Sequence, residues 1–120
     1  MTHRLLGRYE VAVWWGTPVE IRSALERLLR LKELSANEHA GAEKRLEQLR
    51  KAWTEIQPET ALRAQAEKLL RRFPLRAADA LQLAAAMTWT LDRPQGRPFI
   101  CGDAALLEAG QRLGFQAIEA

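Results

Sequence analysis

The sequence predicts an α/β domain, a small parallel sheet flanked by helices, and three observations carry that expectation. First, Tyr9-Glu10-Val11-Ala12-Val13-Trp14-Trp15 is a run of β-branched and aromatic residues closed by Gly16-Thr17-Pro18. Second, apolar residues recur at helical spacing through most of residues 18–91. Third, residues 98–118 read as strand, helix and strand in succession. The helix-rich middle taken alone also suits an all-α bundle, which the first and third observations resist.

In chain order, residues 9–15 form the first, buried strand. Thr17 can cap a helix, Pro18 suits its first turn, and Glu20 stands at the third position as in a capping box. Ile21, Ala24, Leu25, Leu28 and Leu29 then extend that helix from residue 18 to about 34. Ser35-Ala36-Asn37 is a break and a new cap, before a helix over about 38–56 with Ala42, Leu46, Leu49, Trp53 and Ile56 on one side. Pro58 ends it. Thr60 opens a helix carrying Leu62, Ala66, Leu69, Leu70 and Phe73, which Pro74 stops. From Arg76 to about Leu91 the pattern changes, because between Ala77 and Met87 only Asp79 and Gln82 are polar. A helix apolar on nearly all sides is a buried one. Residues 93–97 make a turn, 98–101 a short strand, 104–113 a helix with Gly114 just past its end, and 115–118 a last strand. The expected order is strand, four helices, strand, helix, strand, in a single domain over 1–120.

Composition narrows the function classes. With 120 residues, 48% hydrophobic and 28% charged, the chain can bury a core and is not a disordered tract. A lone Cys101 excludes an internal disulfide framework and a cysteine-rich zinc site, and fits a cytoplasmic protein. No apolar run approaches the about 18 residues of a membrane span, and Met1–Glu10 is too polar for a secretory leader. The net charge of +3 is spread along the chain, which permits a nucleic-acid partner without requiring one.

The acids say more. Twelve of the 15 are Glu, which suit exposed helical faces, and the three Asp are Asp79, Asp92 and Asp103. Asp103 follows a strand and starts a helix, the edge where open α/β sheets bind ligands, although Asp is also a favoured helix cap. Asp79 lies in the first turn of the most apolar helix, where a carboxylate must be paired, protonated or metal-bound, or serves the helix dipole. Glu20 has the capping-box reading beside a functional one. Each acid begins a helix, and in a parallel sheet such helix starts gather along one edge. Three carboxylates meeting there would need a cation, and an oxygen-only set favours Mg²⁺ or Mn²⁺. Such an ion suits phosphodiester hydrolysis.

Three segments carry a resemblance: Thr17 to Leu28, Leu75-Arg76-Ala77-Ala78-Asp79-Ala80-Leu81-Gln82-Leu83-Ala84-Ala85-Ala86, and Phe99-Ile100-Cys101-Gly102-Asp103. In order and spacing they resemble the conserved blocks of PIN-domain proteins, above all the VapC-like toxins of bacterial toxin–antitoxin pairs. The likeness covers residues 8–120. It implies a three-layer PIN-like fold and a Mg²⁺- or Mn²⁺-dependent endoribonuclease, usually a homodimer, held in check by a protein antitoxin. It further implies catalytic and metal-binding roles for Glu20, Asp79 and Asp103, with Thr17 and Arg76 placing the phosphate of the RNA substrate. Family members begin with an apolar strand that ends in Asp, and Met1 to Arg8 leads here straight into the strand at 9–15. The resemblance therefore implies an N-terminally truncated domain, short of the strand that lies between those at 9–15 and 98–101. A degenerate, catalytically weak PIN-like binding or dimerisation module is the alternative, and a helical adaptor whose acids are only caps is a third.

Other features have structural readings. Trp14, Trp15, Trp53 and Trp89 are expected in the core or a dimer interface, Lys68, Arg71 and Arg72 on a solvated face, and Cys101 as an inert buried thiol. Asp92 belongs to a turn, and His3 and His39 lack ligand spacing.

Overall fold

A computed structural model of the chain describes residues 10–120. Nine elements follow one another: β1 (Ala12–Trp14), α1 (Thr17–Arg30), α2 (Ala36–Ala52), β2 (Thr54–Ile56), α3 (Thr60–Arg72), α4 (Ala77–Trp89), β3 (Pro98–Cys101), α5 (Ala104–Leu113) and β4 (Gln116–Glu119). The mixed α/β class is as expected, and both strand pairings are parallel. The strands form two separate two-stranded sheets among the described residues, β1 with β2 and β3 with β4. Ala12 stands opposite Thr54 in the first, and Pro98 opposite Gln116 in the second.

The core is organised around α4. Ala80, Leu83 and Ala84 are fully buried, and Leu62, Ala66, Leu69 and Phe73 of the α3 segment pack with them. Alanines let α3 and α5 approach α4 closely, while Trp14 and Ile56 from the first sheet and Phe99 and Cys101 from the second meet the same cluster. Completely burying one side chain the size of Leu83 contributes about 1.5–3 kcal/mol. Against the second sheet, α5 needs Gly110, since a Cβ there would stand 2.9 Å from the Phe99 ring. The Phe99 and Phe115 rings lie 5.3 Å apart, continuing the core to the base of β4.

Several expectations shift. The first strand runs over three residues, not 9–15: Trp15 and Gly16 form a turn, and Tyr9 lies outside the described residues. Thr17 is not a cap but the first helical residue; Gly16 holds the cap position without a side-chain bond. The helix stops at Arg30 instead of 34, because Lys32 takes a left-handed φ of 59°. Ser35 forms the real capping box, accepting from the Glu38 N–H while the Glu38 carboxylate accepts from the Ser35 N–H. These bonds hold the Glu38 carboxyl below its ordinary range. The helix expected over 38–56 ends at Ala52, and Thr54-Glu55-Ile56 is a strand instead. Its partner β1 lies some forty positions away in sequence, a pairing that periodicity within one segment does not reveal. The order is thus strand, two helices, strand, two helices, strand, helix, strand. From Thr60 onward the expected elements are present with ends within about two residues, and Gly114 closes α5 in the left-handed conformation. No helix among the described residues is long and apolar enough to cross a membrane.

Candidate functional site

The end of β1, the start of α1 and the first turns of α4 are tied together by Glu20. Trp14 Nε1 donates to one carboxylate oxygen at 3.3 Å, and Gln82 Nε2 donates to the other at 2.7 Å. Glu20 therefore bridges β1 to α4 and does not close a capping box. Gly16 makes this possible: the Trp14 ring lies over it so closely that a Cβ would stand 2.2 Å from Cζ2. Any side chain at that position must push the indole away from Glu20.

Asp79 is buried in the first turn of α4, at 8% exposure. Its partner is Arg76, whose Nε stands 3.6 Å from Oδ2, while the rest of the Arg76 side chain is exposed. Asp103 caps α5, with Oδ2 accepting from the Leu106 N–H at 2.9 Å. Cys101, the last residue of β3, is buried two positions before Asp103. Burial pushes its thiol up, the Asp103 charge adds to this against an opposing backbone hydrogen bond from Asp103, and the Asp79 and Glu119 charges raise it further. Burial and these neighbouring charges disfavour the thiolate of Cys101.

Glu20 reaches α4 through Gln82, Asp79 lies one turn before Gln82 in the same helix, and Asp103 follows β3 at the start of α5. The acids form two subsets, with Glu20 on the β1 side and Asp79 and Asp103 on the β3 side. Among the described residues no three His, Cys, Asp or Glu side chains gather as a metal-ligating group. Glu20 and Asp103 accept hydrogen bonds from the protein, and Asp79 is paired with Arg76. The residues described accordingly supply an acidic edge but not a closed ligand set for Mg²⁺ or Mn²⁺. Thr17 begins α1 beside this edge, and Arg76 stands exposed at the N-cap of α4.

Sequence reasoning missed Trp14 and Gln82 as partners of Glu20. The signal for Gln82 was present: Asp79 and Gln82 are the two polar residues of an otherwise apolar stretch, three positions apart and so on one face. A second polar cluster lies on the α1–α2 pair. His39 sits between Glu26, against Nε2, and Glu43, 3.2 Å from Nδ1, and Arg22 bonds Glu43 and Glu47 at 3.1 and 2.6 Å. It follows from the helical register of facing positions, which no ligand spacing along the chain reports. The tryptophans divide: Trp14 packs on the core, Trp53 is half-buried and donates to Glu55, and Trp15 is 52% exposed. The guanidinium groups of Arg72 and Arg112 flank the Phe73 ring at 5.0 and 5.3 Å, so Arg72 has a packing role beside its charge. His3 lies outside the described residues.

In comparisons with known proteins, no family model, no curated protein and no solved structure matches this chain.

Proposed function

We propose that the chain is a PIN-type ribonuclease domain that depends on Mg²⁺ or Mn²⁺ and acts as the toxin partner of a protein antitoxin. The observation that carries this reading is the placement of Asp79. A carboxylate buried in the first turn of the most apolar helix, with the exposed Arg76 guanidinium 3.6 Å away, supports a role for Asp79 beyond packing. Glu20 reaches the same helix through Gln82, and Arg76 and Thr17 serve as phosphate-binding groups. A three-layer PIN-like arrangement and a homodimer belong to the same reading.

A second reading is favoured by a specific observation, the dispersal of the acids into two subsets with protein partners. In that case the domain is a degenerate PIN-like module that binds a partner and does not cleave RNA. One experiment separates them. Purified chain is incubated with single-stranded RNA and Mn²⁺ or Mg²⁺, beside an Asp79→Ala variant of matched folded content. Metal-dependent cleavage that disappears in the variant supports the nuclease, whereas cleavage that survives Asp79→Ala rejects it. A chain that is folded yet inert in both metals supports the binding module.

A further inference from the structure

Two arginines from different helices share one aromatic ring. Arg72 lies in the last turn of α3 and Arg112 in the last turn of α5. Their guanidinium carbons stand 5.0 and 5.3 Å from the centroid of the Phe73 ring, which limits their separation to the sum of those distances. Phe73 is buried, whereas both arginines are exposed. Each helix C-terminus favours a cation of its own, but two like charges at one ring repel each other. The protein does not offset them. Among the described residues the arginines in ion pairs are Arg22, Arg50 and Arg76, and the guanidinium groups that donate hydrogen bonds are those of Arg22 and Arg50. Glu108 stands exposed one turn before Arg112 and is not paired with it.

A guanidinium held against a ring is engaged through its face, and the N–H donors along its edge stay free in a fixed plane. Planar forks of this kind match pairs of phosphate oxygens. Neighbouring positions add charge. Lys68 is one turn before Arg72 on the same side of α3, and Arg76, its side chain 85% exposed, follows the α3–α4 turn four positions after Arg72. Together α3 and α5 carry five cations against two acids, Glu67 and Glu108. One small anion needs a single fork, whereas two forks among further cations suit a chain of anions.

We infer that Arg72 and Arg112, held against Phe73, anchor the phosphodiester backbone of a single-stranded nucleic acid. The contacts are to phosphates, so the anchor sets affinity and position and reads no base sequence. The inference rests on the nuclease proposal for the class of partner and not for cleavage. A chain that binds through these arginines and cuts nothing fails the nuclease reading alone.

The test is fluorescence anisotropy of a labelled single-stranded RNA of about a dozen nucleotides, titrated with the full chain in EDTA at several salt concentrations. Arg72→Gln/Arg112→Gln should weaken binding about tenfold or more and lower the slope of log affinity against log salt by about 1.4, the value for two phosphate contacts. Arg72→Lys/Arg112→Lys keeps both charges and should keep most of the slope, which separates lost contacts from lost folding. Arg27→Gln/Arg30→Gln, a change of equal charge in the last turn of α1, should weaken binding less than about twofold. An unchanged affinity in Arg72→Gln/Arg112→Gln, or equal weakening by Arg27→Gln/Arg30→Gln, would overturn the proposal. Polyglutamate bound as tightly as the RNA and lost in Arg72→Gln/Arg112→Gln would assign the arginines to an acidic polypeptide and overturn it equally.

Discussion

The two halves of the molecule are held together by different forces. All fourteen residues of the buried cluster lie between Leu62 and Phe115, in α3, α4, β3, α5 and the turns beside them. The α1–α2 pair before them buries little beyond Pro18 and Leu46, and is clasped by Arg22, Glu26, His39, Glu43 and Glu47. Apolar burial is insensitive to salt and strong per residue; exposed ion pairs are neither. The second half is thus a self-supporting platform, and the first is attached to it through β1, Ile56 and the Glu20 bridge. The acidic edge lies where the two meet, so Glu20 sits on the less firmly held side and Asp79 and Asp103 on the firmer.

The largest effect that would sharpen this contrast is in the platform. Leu83→Ala removes a fully buried side chain beside small alanines and should cost about 2–5 kcal/mol in denaturant unfolding. A loss below ~1 kcal/mol would mean that α4 is not the centre of the core. Next comes the joint between the halves. Gly16→Val must displace the Trp14 indole, with an expected cost of about 1–3 kcal/mol and a red-shifted tryptophan emission as Trp14 meets water. An unchanged spectrum would show that the ring does not lie over Gly16. Asp103→Ala removes the α5 cap bond, for about 0.5–2 kcal/mol, with faster amide exchange at Leu106 as its local signature. The smallest effect belongs to the clasp. Arg22→Ala removes two pairs whose side chains are 41–53% exposed, so at most ~1 kcal/mol is expected. That small loss should shrink further in high salt, and a large, salt-independent loss would contradict the division.

The same division explains what was legible in the sequence. Every element from Thr60 to Glu119 was readable because local signals agreed: Pro74 and Pro98 as boundaries, Asp103 and Gly114 as caps, and an unbroken apolar α4. In the first half the signals compete. Trp53 and Ile56 continue a helical spacing, yet Thr54-Glu55-Ile56 is extended because its main chain pairs with β1. Thr17-Pro18-Val19-Glu20 matches a capping box, yet Glu20 turns toward Trp14 and Gln82, partners that only tertiary folding supplies. Of the candidate site, the burial of Asp79 and the capping position of Asp103 were visible from residue type and place. The separation of the strands into two sheets was not, since each strand has the same local pattern whether or not a neighbour stands beside it.

The central functional claim is that Asp79 and Asp103 act as one acidic edge that takes a divalent cation. Calorimetric titration of Mn²⁺ into the metal-free chain tests it most directly, with Asp79→Asn and the turn variant Asp92→Asn measured in parallel. Binding on the order of micromolar that weakens at least about tenfold in Asp79→Asn and is untouched in Asp92→Asn is the predicted result. Equal binding by all three chains, or none by the unmodified one, would contradict it.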